Sequence, residues 1–153
     1  MREGLHGKVR SYTLSSGEKN AAIEVLESLL AGREEILFAY AHGSFLDEGP
    51  FRDLDVAVFV KSREIYQGFR FTYEDSLAQE IMQRTGFHFS VDIRLLNGAP
   101  ISFQYHVFRG RLLLDRDPDS RIEVVSNAIA RYLDIKPVLR HHLREAFSSE
   151  PQP

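Results

Sequence analysis

Apolar residues along this chain recur first at helical and then at strand spacing, and the switches between the two periods lay out most of a fold. Ala22, Val25, Leu26, Leu29 and Leu30 share one face of a helix over about 16–31, which Ser15 or Ser16 caps and Gly32 stops. Residues 36–41 read as a strand, and Gly43-Ser44 opens a turn or short helix. Gly49-Pro50 marks a loop, and 53–60 reads as a second strand. A helix over 73–84 ends at Gly86. A third strand over 87–96 ends at Asn97-Gly98, a short helix covers 100–108, and 111–114 form a fourth strand. A long helical segment then runs over about 120–147, with Pro137 expected to kink or break it. This order predicts a small α+β domain, with a mixed sheet flanked by helices and a C-terminal helical tail. One domain accounts for 1–153, its core over about 15–117 and its tail over about 120–147.

Strand alternation places the acids. In the second strand Leu54, Val56, Val58 and Val60 share one face, and Asp53, Asp55, Ala57 and Phe59 share the other. In the third, Phe87, Phe89, Val91, Ile93 and Leu95 form an apolar face opposite His88, Ser90, Asp92 and Arg94. If the two strands are neighbours and both bury their branched residues, Asp53, Asp55 and Asp92 emerge on the same side of the sheet.

Composition narrows the setting. Apolar residues make up 43% of the 153, with 11 Phe and 6 Tyr, enough for a proper core. No apolar run approaches the roughly 20 residues of a membrane span. The N-terminal stretch has no apolar signal core, which predicts a cytoplasmic protein. There are no cysteines, so disulfides and thiolate metal sites are excluded. A formal net charge of −3 disfavours long nucleic acids as partners. The six histidines form no metal set. The aromatic-rich run 66–73 reads as core packing at least as readily as a contact to a partner or nucleotide.

Three close carboxylates raise one another's pKa unless a cation sits among them. Magnesium suits such a set, because it prefers oxygen ligands and commonly takes substrate phosphates as well. Two such ions can clamp the attacking and leaving oxygens of a phosphoryl-type displacement. Gly43 lets backbone approach a phosphate, Ser44 adds a hydroxyl, and amides of a following helix would add donors. The residues therefore point to metal-dependent transfer from a nucleoside triphosphate. Each feature also has a plainer reading: Asp-x-Asp as a solvated strand start, Asp92 as the partner of Arg94, Ser44 as a helix cap, and Arg109 and Arg111 as surface ion pairs.

Gly43-Ser44, Asp53-x-Asp55 and Asp92 in this order resemble the nucleotidyltransferase family related to DNA polymerase beta. The likeness is closest to its minimal members, the MNT domains often paired with HEPN-domain toxins. The runs Val91-Asp92 to Pro100, Arg109 to Asp117, and Arg131 to Asp134 with Lys136-Pro137 extend it. The chain departs from the family pattern in a slightly short loop, in Arg52 where many relatives carry Ser, and in Phe45-Leu46 where many carry Arg. The resemblance implies the nucleotidyltransferase fold, with a mostly antiparallel mixed sheet. It implies that Asp53 and Asp55 bind two Mg2+ ions, that Asp92 completes the catalytic metal site and helps deprotonate an acceptor hydroxyl, and that Gly43 and Ser44 hold the nucleotide. AMP would pass from ATP to the acceptor, a tyrosine of a HEPN toxin in the antitoxin members. Two alternatives remain. One is a non-catalytic antitoxin that masks its toxin through the C-terminal segment. The other is a nucleotidyltransferase for a small molecule of the aminoglycoside type, whose second substrate surface a homodimer could build.

Overall fold

The computed structural model describes residues 10–61 and 70–148. Residues 1–9 of the N-terminal stretch and residues 66–69 of the aromatic run 66–73 lie outside the described residues. Helix α1 (Ser16–Ala31) begins with a reciprocal cap, in which the Glu18 amide donates to the Ser15 hydroxyl at 3.2 Å and the Ser15 amide donates to the Glu18 carboxylate at 2.7 Å. Its buried face is Ala22, Ile23, Leu26 and Leu30. The expected stripe was rotated by a fraction of a turn: Val25 is exposed, Leu29 only half-buried, and Ile23 takes the inner position.

Four strands follow: β1 (Ile36–His42), β2 (Asp53–Val60), β3 (Ser90–Leu95) and β4 (Arg111–Asp115). They form one mixed sheet in the order β3-β2-β1-β4. β1 runs antiparallel to both β2 and β4, and β2 and β3 are parallel. A parallel pair needs a crossover connection, which α2 (Arg70–Thr85) supplies. The expected third strand is shorter than its apolar alternation suggested. Gly86 adopts φ +66°, and Phe87 and Phe89 stack on each other at 4.8 Å before the strand begins. Over Ser90–Leu95 the alternation holds, with every second residue buried.

The sheet is covered on both faces. Leu54, Val56, Val58 and Val60 of β2 join Val91, Ile93 and Leu95 of β3 in the larger core beneath α1 and α2. Phe38, Tyr40, Ala57, Leu96 and Val107 make a smaller core under α3 (Ile101–Phe108). Phe59 stacks on Phe38 there at 4.7 Å. On β1 and β2 the face that carries the aspartates is thus apolar except at the end where Asp53 and Asp55 stand, while the edge strand β3 exposes Ser90, Asp92 and Arg94 on it. Helix α4 (Pro118–Ser148) lies against α3, where Tyr105 and Tyr132 stack at 3.9 Å.

Pro137 is expected to kink or break the last helix; it does not break it, and lies inside one continuous helix. A proline removes the donor for the carbonyl four residues back, here that of Leu133. That turn is exposed, so water can take the carbonyl and the helix survives.

Buried Asn97 closes the sheet where β2 ends. Its side-chain oxygen accepts from the Val60 amide at 2.9 Å and its amide donates to the Val60 carbonyl at 2.8 Å. The side chain thereby imitates one rung of a strand. Asn97→Ala leaves both Val60 groups buried without partners. We expect a loss of about 2–3 kcal/mol, read as a lower urea midpoint at unchanged slope. A change within error would show that water replaces the side chain.

Candidate active site

The register of three strands builds a polar row across the sheet. His42 pairs with Asp55 across the antiparallel β1–β2 ladder, and Asp55 pairs with Asp92 across the parallel β2–β3 ladder. Asp53 lies one step along the same face, in register with Ser90. Asp53 and Asp55 are half-buried, and Asp92 is exposed.

Gly43 follows His42 with φ +81°, a conformation that favours glycine. A Cβ built there would lie 2.5 Å from the Asp55 carboxylate oxygen Oδ2. The backbone conformation is what calls for glycine here, and any side chain would displace the Asp55 carboxylate that lies against the Gly43 main chain. Ser44–Leu46 form a single 3-10 turn, shorter than the helix expected to present several amides. Phe45 is buried in the larger core and anchors the turn.

Burial, and then the negative charges of Asp92 and Asp53, push the Asp55 carboxyl up to about 6. Such crowding is what a bound cation relieves, and the oxygen chemistry suits a hard divalent ion. The side chains do not yet converge on one point. Asp92 leans toward Arg94, whose Nε lies 3.6 Å from its Oδ2. Among the described residues no three His, Cys, Asp or Glu side chains are gathered closely enough to hold a metal as they stand. The expected three-carboxylate set is therefore aligned by the backbone but open at Asp92, because an unscreened carboxylate turns to the nearest cation.

His42 is the residue whose place was least visible in the sequence. It is buried, its Nε2 has no hydrogen-bond partner, and its ring meets Phe103 and His106 edge-on at 5.6 and 5.7 Å. Burial, then the charge of His106, lower its pKa to about 4. Only the pairing of β1 with β2 brings it beside Asp55. Next to this row opens a cleft of about 490 Å³, lined by His42, Gly43, Ser44, Leu46, Asp47, His106, Arg109 and Gly110.

Comparison with known proteins follows the same residues. The family model "Polymerase beta, Nucleotidyltransferase" matches residues 24–119. The sequence has no significant match among curated proteins. A chain from the complex of a tri-AMPylated Shewanella oneidensis HEPN toxin with an MNT antitoxin has a TM-score of 0.62 at 15% identity, over 85% of this chain and 99% of that one. A chain of the toxin–antitoxin complex MntA-HepT has a TM-score of 0.60 at 15% identity, over 88% and 100%. A chain of a toxin–antitoxin complex with AMP-PNP has a TM-score of 0.60 at 16% identity, over 85% and 98%. At these identities the likeness is one of fold, and the sheet flanked by helices is the one expected from the residues.

The two buried titrations give opposite pH slopes. Asp55 has a raised folded pKa, so its native carboxyl keeps a proton that the unfolded chain has lost, and stability falls as pH rises from about 3.8 to about 6. His42 has a lowered folded pKa, so the unfolded chain takes the proton first, and stability falls as pH drops from 6.5 to about 4. Asp55→Asn removes the first slope. In chelator, we expect the variant to melt above the native protein at neutral pH and to lose stability more steeply between 6.5 and 4. Parallel melting curves against pH would refute this balance.

Proposed function

Because the chain belongs to the polymerase beta nucleotidyltransferase family, we propose that it moves AMP from ATP to an acceptor hydroxyl, and that the acceptor is a tyrosine of a HEPN-domain toxin. The single observation that carries the chemistry is the register of Asp55 on Asp92, with Asp53 on the same face. The fold shared with chains of MNT–HEPN complexes, one of them holding a tri-AMPylated toxin, supports the choice of partner.

In this reading Asp53 and Asp55 hold Mg2+ ions, and Asp92 completes the set after turning away from Arg94. Bound magnesium supplies charge neutralisation at the phosphates and lowers the pKa of the acceptor hydroxyl. Ser44 donates to the terminal phosphate, and the glycine backbone at Gly43 leaves room beside Asp55. The acceptor oxygen attacks the α-phosphorus, a new phosphorus–oxygen bond forms, and the bond to the bridging oxygen breaks. Pyrophosphate leaves with that electron pair, and Asp92 takes the acceptor's proton. The backbones of Asp55 and Asp92 sit at one level of the sheet, so proton acceptor and metal ligand stay in fixed relation.

Labelled AMP from α-labelled ATP should appear on a co-expressed HEPN protein. Asp53→Asn with Asp55→Asn should lower transfer by about a hundredfold or more, the scale for removing charge stabilisation from a transition state. Absence of label with the native chain, where an active relative labels its own toxin, would sink the proposal.

A second reading, masking without chemistry, is favoured by α4. On this helix Ile122, Ile129 and Leu133 are exposed at 53%, 39% and 54% and recur at seven- and four-residue spacing, with Leu143 at 56% further along, and such an apolar stripe fits a groove on a partner. Masking predicts that the double Asn variant still neutralises the toxin and that Leu133→Glu with Leu143→Glu does not. Modification predicts that the double Asn variant fails.

A further inference from the structure

The cleft beside Gly43 and Ser44 raises a question of charge. A nucleotide's phosphate tail needs cationic partners, since one hydroxyl offers a single neutral hydrogen bond where a charged donor gives roughly twice the strength. The turn after Ser44 offers none: its next residues are Phe45, Leu46, Asp47 and Glu48. Phe45 is 1% exposed and locked among Phe51 and Phe89, so this turn cannot swing another side chain inward without emptying the core. Lys19, which reaches the turn from α1, is spent on the Asp47 carbonyl at 2.6 Å and lies over the rings of Phe45 and Phe51.

The cleft lining holds one side chain of fixed positive charge, Arg109. Arg109 is exposed, and among the described residues its guanidinium has no ion pair or hydrogen bond. Asp47, the one carboxylate on the lining, is not paired with it. The neighbouring arginines are engaged: Arg111 with Asn20 and Glu27, Arg94 with Asp92, and Arg116 with the carbonyls of Ala31 and Ile36.

The backbone holds Arg109 at this place. The amides of Arg109 and Gly110 close α3 onto the carbonyls of His106 and Val107. Gly110 then packs so tightly against β1 that a Cβ there would lie 2.1 Å from the Ala41 carbonyl oxygen. Ala41 is two residues before Gly43. The absence of a side chain at Gly110 thus sets the base of Arg109 beside the end of β1, on the cleft wall that faces the Gly43-Ser44 turn.

We propose that Arg109 supplies the positive charge that binds the phosphate tail of the nucleoside triphosphate, a function the turn after Ser44 leaves vacant. The inference rests on the nucleotidyl-transfer reading above. It assigns Arg109 to binding the tail and not to the reacting α-phosphate, so its loss should separate ATP from AMP. A planar guanidinium can also bridge two phosphate oxygens, which a lysine does not reproduce fully.

Binding of ATP and of AMP to the full chain with Mg2+, followed by titration calorimetry, tests it without any acceptor. Arg109→Gln should weaken ATP by about tenfold or more, the scale of one charge-assisted hydrogen bond, and leave AMP affinity unchanged. Arg109→Lys should restore part of the loss. Arg111→Gln, which removes an equal charge off this cleft, should leave ATP affinity as in the native chain. Exposure without partners predicts an unchanged melting temperature for Arg109→Gln. Equal ATP affinity in Arg109→Gln and native protein, or an equal loss in Arg111→Gln, overturns the assignment of Arg109 alone. A native chain that binds no ATP overturns the proposed function and this inference with it.

Discussion

The row of acids at the heart of the site depends on how β3 pairs with β2. Side chains alternate with a period of two, so the parallel register that sets Asp55 against Asp92 also sets Val56 against Ile93 on the other face. A slip of one residue would send Asp92 into the apolar core and expose Val91 or Ile93. The register that buries the branched residues is therefore the one that aligns the acids. Burial of that apolar face supplies the free energy, and the acids contribute only repulsion. The site is held together by residues that never touch it.

The repulsion is visible in the site itself. Asp55 carries a carboxyl pushed upward, Asp92 turns to Arg94, and His42 is buried without a partner for Nε2. None of these helps the chain fold in the absence of a ligand, and local departures from good packing and pairing cluster at functional sites. The surroundings offset the strain. Phe45, Phe51 and Phe89 wedge together under the Gly43-Ser44 turn, and Asn97 fastens the far end of β2. A rigid apolar frame is what allows a charged row to stay aligned while it is unsatisfied.

Much of this could be read from residues alone, and the limits of that reading have physical causes. Period-two alternation in β2 and β3 sufficed to put Asp53, Asp55 and Asp92 on one side, because strand faces are local properties. The order of the strands is not local. That His42 would stand beside Asp55 required knowing that β1 runs antiparallel to β2, and that fact lies in the packing of both sheet faces. Ala57 and Phe59, read as sharing the acids' face, pointed to the second core, but α3 had to fold over them for that face to close. Helix phase failed for Val25 by a fraction of a turn, since the buried face is centred between Leu26 and Leu30, which brings Ile23 inward and leaves Val25, on the far side of the helix from it, outside. Pro137 failed as a helix breaker because propensity assumes that the lost bond is missed, and on an exposed helix water supplies it.

The two glycines at the site give the same physics a direction. Gly43 and Gly110 lie on opposite sides of the end of β1, and each allows a close approach: Gly43 to the Asp55 carboxylate, which a methyl group would displace, and Gly110 to the Ala41 carbonyl, which a methyl group would forbid. Sequence reading treats glycine as a turn signal, which explains Gly43 and leaves Gly110 without a reason. The close approach explains both. It draws the acids to one side of the β1 terminus and the α3–β4 turn, with Arg109, to the other. Anionic ligands for a cation and a cation for an anion thus flank the end of one strand. A metal-bound polyphosphate is the kind of molecule that needs both at once, and neither side alone would distinguish it from a free metal ion or a simple anion.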